Sequence, residues 1–139
     1  VSGRKIEDNA SKEASVQRAS NWVQHCDTEH KDPSCVAADP KMPQRVLDVN
    51  VTASDHLSIK ESTGEIGKYA ALSHVENTDN STTTVNTGLE LKENSVNLKS
   101  LPKIFQDAIS ITRKLGLQYL WIEEIWQVTS PSIKLQHVN

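Results

Sequence analysis

The stretch SLPKIFQDAISITRKLGLQYLWI, residues 100–122, constrains the fold more than any other part of the chain. It predicts a helix, a tight turn and a strand in immediate succession. Pro102 suits the first helical turn, where a missing N–H costs nothing, and Ser100 stands just upstream as a candidate cap. Ile104, Phe105, Ala108, Ile109, Thr112 and Leu115 recur at helical spacing and define one apolar face. Gly116 follows Lys114 and Leu115, where a left-handed residue closes a helix behind a basic last turn. Leu117, Tyr119, Leu120, Trp121 and Ile122 then form an apolar run too short for a helix and suited to a strand buried on both faces.

A second strand is expected upstream. Lys68-Tyr69-Ala70-Ala71-Leu72-Ser73-His74 follows a glycine-containing turn (Gly64, Gly67) and reads as buried. Strands at 68–74 and 118–123, joined through the 102–115 helix, predict a right-handed parallel pair. Parallel strands end on the same edge of a sheet, and ligands of open α/β sheets sit at that edge. Ser73 and His74 fall at one strand end and Glu123 and Glu124 at the other, so a hydroxyl, an imidazole and carboxylates are expected to converge. Arg45–Val49 and Leu57–Ile59 are short strand candidates able to pair as a hairpin.

The remainder is less structured by pattern. Residues 6–26 permit a helix with a weak stripe of Val16, Ala19, Val23 and Cys26, with Trp22 beside it. Residues 31–44 contain Pro33, Pro40 and Pro43 and read as a linker, and the polar segment 76–97 reads as a loop. With 139 residues the chain suffices for one domain, yet only 36% of it is hydrophobic, concentrated after residue 68. A net charge of −3 gives no basic surface for nucleic acid. No apolar run approaches the roughly 20 residues of a membrane span, and no signal peptide opens the chain, so a cytoplasmic protein is expected. A start at Val1 fits a fragment.

His74 is the foremost functional candidate, because an imidazole at a strand end is able to bind phosphate or move a proton. The opposing reading is a histidine that only hydrogen-bonds the following loop. Glu123 is a candidate ligand-binding carboxylate, against the alternative of an exposed acid past a strand. Thr83, Thr84 and Asn86 offer hydroxyls and an amide to an anion, as do many ordinary loops. Cys26-x3-His30-x4-Cys35, with His25 adjacent, has residue types that zinc favours. Those residues supply three ligands rather than four, and neighbouring His25 and Cys26 rarely share an ion, so no metal site is assigned. Gly64-x-x-Gly67 precedes a strand rather than joining strand to helix, which excludes a dinucleotide loop, and no cofactor is expected.

Several blocks together resemble the fungal heterokaryon-incompatibility (HET) domain: Tyr69-Ala70-Ala71-Leu72-Ser73-His74, Thr83-Thr84-x-Asn86, Leu101-Pro102-x-x-Phe105-x-Asp107-Ala108-Ile109, and Leu115-Gly116-x-x-Tyr119-Leu120-Trp121-Ile122. Trp22, Cys26, His30 and Cys35, followed by Pro43-x-Arg45-Val46-Leu47-Asp48-Val49, resemble the lead-in often found before that domain. The resemblance implies a role in non-self recognition and programmed cell death, and a distant likeness to the TIR fold, flavodoxin-like and NAD-cleaving in some members. The family usually continues Ser-His with Cys-Trp-Gly and Trp-Ile with Asp-Ser-Leu-Cys. Here Val75-Glu76-Asn77 and Glu123-Glu124-Ile125-Trp126 stand instead. The family's later tryptophan-and-glutamate segment has no counterpart. The expected architecture is therefore an α/β, partial flavodoxin/TIR-like unit preceded by a helix and a short hairpin. Its boundaries are a helical segment and linker at 1–44, a truncated HET-like domain at 45–126 and a polar tail at 127–139. The expected function is that of an incomplete HET-like signalling module with like domains or an upstream sensor as partners, self-assembly being compatible with this. A nucleotide-cleaving enzyme and an inactive degraded or mis-spliced product are the alternatives.

Overall fold

The computed structural model describes residues 8, 9, 12–32, 39–50, 55–74, 95–123 and 125. In chain order these form helix α1 (Glu13–Glu29), strands β1 (Arg45–Asp48), β2 (His56–Glu61), β3 (Ala70–Ala71) and β4 (Ser95–Asn97), helix α2 (Lys103–Lys114) and strand β5 (Tyr119–Trp121). The strands make one mixed sheet in the order β3-β5-β1-β2-β4. β3 and β5 run parallel, Ala70 opposite Leu120 and Ala71 opposite Trp121, while the other three pairings are antiparallel. The protein is thus mixed α/β, with a parallel pair at one side of the sheet and α2 between its strands in the chain.

Helix α2 follows from its sequence at both ends. Pro102 precedes its first residue and its carbonyl accepts from the N–H groups of Phe105 (2.9 Å) and Gln106 (3.1 Å). At the other end Gly116 has φ +74°, Leu117 N–H donates to Thr112 O (3.1 Å) and Gly116 N–H to Arg113 O (3.0 Å), which is the Schellman closure. Ser100 does not cap α2. It sits in a 3-10 turn, Leu98–Ser100, and its hydroxyl donates to Asn97 O at 2.7 Å. Phe105, Ile109 and Thr112 are buried, whereas Ile104, expected on the same face, is 45% exposed because it lies one step around the helix.

The hairpin is present and longer than its sequence suggests. Arg45 lies opposite Glu61 and Asp48 opposite Ser58, and beyond them Met42 N–H donates to Glu65 O (2.9 Å) and Gly67 N–H to Pro40 O (3.0 Å). The end of the expected 31–44 linker is therefore part of a bent ribbon, while residues 33–38 lie outside the described residues. The expected 76–97 loop also ends in structure. Ser95–Asn97 pair with β2, Leu57 lying opposite Val96, and the rest of that loop lies outside the described residues.

Leu47, Leu57, Val96, Phe105, Ile109 and Leu120 belong to one core cluster, which holds the buried side of α2 and one face of the sheet. The opposite face is more open. Only Leu120 of β5 is fully buried, and Tyr119 and Trp121 are half-buried, which corrects the expectation of burial on both faces. Lys60 Nζ lies 5.6 Å from the centre of the Tyr119 ring. Val46, Met42 and Val16 are buried outside the main cluster. In α1 the expected stripe is not covered: Val16 alone is buried, Trp22 is 56% and Val23 50% exposed, and every residue from Asn21 to Glu29 is exposed. Periodicity marks an apolar stripe, and carries no information on whether another element lies over it.

Candidate site at the C-terminal edge of the parallel pair

The ladder between β3 and β5 continues for one bond, Leu72 N–H donating to Trp121 O at 3.0 Å, after which both chains leave the sheet. Ser73 and His74 leave from β3, and Ile122 and Glu123 from β5, at the same edge. That common exit is a consequence of parallel direction. Ser73 and Glu123 are exposed and His74 is half-buried. Ile122 and Ile125 are fully buried beside this edge, and the backbone is already helical at Glu123 and Ile125.

His74 does not stand clear of the protein. Its ring meets the Phe105 ring edge-on, centroids 5.5 Å apart at 81°. Phe105 belongs to the first turn of α2, so the helix N-terminus reaches the strand edge and supplies an apolar wall beneath the imidazole. Gln106 Nε2 donates to Leu101 O at 2.8 Å and ties the segment before α2 to that first turn. The sequence pattern places Phe105 on the core face alone. A positional signal for its second role exists, since a helix crossing between parallel strands runs back along them and begins at their C-terminal edge.

The arrangement offers an exposed hydroxyl, an imidazole steadied by an aromatic wall and an exposed carboxylate on one edge. Such a set suits hydrogen bonding to a polar partner surface or to an anionic group. Thr83, Thr84, Asn86 and Glu124 lie outside the described residues.

The other singled-out residues sit elsewhere. Cys26 is exposed on α1, the His25 and His30 rings meet edge-on at 6.1 Å, and Cys35 lies outside the described residues. Among the described residues no group of three His, Cys, Asp or Glu side chains is arranged to hold a metal ion. Asp107 pairs with Lys103 one turn earlier. Arg113 Nε donates to Val49 O at 2.5 Å, joining the last turn of α2 to the end of β1, on the side of the sheet away from His74. No helix among the described residues is long and apolar enough to cross a membrane.

Comparison with known protein families gives a match over part of the chain. The family model described as heterokaryon incompatibility protein (HET) covers residues 69–128. It begins one residue before β3 and runs past β5, so it spans the parallel pair, α2 and the candidate edge. The lead-in at Trp22–Val49 stands outside it. No curated protein and no solved structure matches the chain. Residues 69–128 of the chain are thus similar to the heterokaryon incompatibility (HET) domain, while β1 and β2 of the same sheet lie outside the match.

Proposed function

We propose that this chain is a HET-type signalling module of the cytoplasm, acting in non-self recognition and programmed cell death through contacts with like domains or an upstream sensor. In this reading the family portion is the front of a flavodoxin/TIR-like unit, and the edge bearing Ser73, His74 and Glu123 is its working surface. The observation that supports the reading is the family match over residues 69–128, which takes in both strands whose ends carry these side chains.

Induced expression of the chain in a fungal host, with viability counted, tests it. Growth arrest is expected from the native chain, with relief in His74→Ala and Glu123→Ala variants that remain folded. Full viability with the native chain at matched expression would overturn the signalling reading.

A second reading is a nucleotide-cleaving enzyme that uses Glu123 and His74, whose carboxylate and imidazole follow β5 and β3 at the same edge. Loss of nicotinamide from NAD passes through a cation-like sugar that a carboxylate must stabilise in a shielded pocket. Glu123 is exposed, so water reaches it. Incubation of the purified chain with NAD is therefore expected to release no nicotinamide. Turnover that disappears in Glu123→Gln would favour the enzyme instead.

A further inference from the structure

Helix α1 is built in two unequal halves. Its buried residue, Val16, lies in the first half, while Asn21–Glu29 are exposed on every side. That second half is a poor helix on its own account. Asn21, Val23, His25, Cys26, Asp27 and Thr28 all have low helix propensity, and an isolated helix below about 12–15 residues is marginal in water. Its charges are also adverse: the last turn holds no basic residue, and Asp27 and Glu29 face the negative end of the helix dipole. His30, which ends the helix, is extended rather than left-handed, so no glycine-type closure compensates.

One group from outside the helix does. Lys68 Nζ sits 3.1 Å from Asp27 Oδ2, across 41 residues of chain. Lys68 directly precedes Tyr69, where the family match begins, and stands two residues before β3. Hydrogen bonding to Asp27 and attraction to its carboxylate raise the Lys68 pKa above the ordinary lysine value.

We propose that residues 21–29 are a conditional helix, steadied by the Lys68 ammonium at the head of β3, and that they open independently of the sheet, more often when this ion pair is broken. Lys68 supplies the positive charge that the last turn of α1 lacks. Order in the half-helix is thereby coupled to the seating of β3, and the coupling is reciprocal: whatever steadies residues 21–29 also steadies the lysine that leads into the family unit.

Hydrogen exchange followed by mass spectrometry on the full chain tests this, with α2 as the internal control for global folding. Amides of residues 21–29 are expected to exchange faster than those of α2 in the native chain. Lys68→Ala should accelerate them by a further two- to five-fold or so, the range set by an exposed ion pair, and leave α2 unchanged. Lys68→Glu should act more strongly, and the swap Asp27→Lys with Lys68→Asp should restore the native pattern. If a variant disturbs α2 as well, the native chain at low and at high salt gives the same comparison, with faster exchange at 21–29 expected in salt. Protection at 21–29 equal to that of α2, or unmoved by Lys68→Glu and by salt, would overturn the proposal.

Discussion

Phe105 has two tasks, and they can be weighed separately. It is 3% exposed within the core cluster and also forms the wall against which His74 rests. Truncation to alanine removes a buried ring and leaves a cavity, so Phe105→Ala should cost about 3–5 kcal/mol. Chemical denaturation checks this, and an unchanged midpoint would mean that the face is not buried. At the surface, three lysines respond to pH in one direction. Lys60, Lys68 and Lys99 have pKa values raised above the ordinary 10.5, through side-chain hydrogen bonds to Glu65, Asp27 and Asp55. A lysine whose folded pKa is raised contributes stability that is fully present below its unfolded value and is lost as pH climbs through the folded one. Melting temperature should therefore lose this contribution only above about pH 10.5, as a small decline. Melts across the alkaline range of native protein and a Lys60→Ala/Lys68→Ala/Lys99→Ala variant would show it as a difference that closes as pH rises. A difference that instead widens would sink the assignment.

Among the elements, α2 and its closing turn were the most legible in the sequence, because everything that specifies them is local. Pro102, the apolar spacing and Gly116 lie within one short stretch. Gly116 has φ +74°, and nothing lies within 4 Å of where a Cβ would stand. The cost of a side chain there is thus backbone strain alone, and Gly116→Ala should lose about 1–2 kcal/mol. Gly116→Asn should lose less, since asparagine tolerates that region, and urea unfolding at constant slope would distinguish the two. Equal stability of all three proteins would deny the left-handed turn. Strand β4, set by a distant partner, was not legible, although the equally distant pairing of β3 with β5 was. Ser95-Val96-Asn97 carries no strand period of its own and becomes β4 because β2 offers its edge. The stripe on α1 was readable, but its lack of cover was not. For the candidate edge, the common exit of Ser73, His74 and Glu123 follows from parallel direction and could be read in advance. The contact of His74 with Phe105 depends on where the first turn of α2 settles, which no local pattern encodes.

For the whole molecule, the sheet order has a kinetic consequence. The hairpin β1–β2 is local in sequence, whereas the strand beside β1 on its other edge is β5, with Asp48 opposite Tyr119. The middle of the sheet is thus joined from segments about 70 residues apart, and closing such a loop costs entropy of about (3/2)RT ln n before any contact repays it. Folding should begin at the hairpin and wait for β5, so refolding belongs to the slower, non-local class of small domains. Leu120, fully buried at that junction, is the residue to test. Leu120→Ala should slow refolding as well as destabilise, whereas Val96→Ala, in edge strand β4, should mainly hasten unfolding. Stopped-flow chevrons separate the two limbs, and a folding limb untouched by Leu120→Ala would place β5 after the barrier. During the wait, the β5-facing edge of β1 is unpaired, and a hairpin with an open edge is a template for any other extended chain. The vulnerable species is then the half-built sheet rather than the finished one, and its lifetime is set by how quickly residues 119–121 arrive.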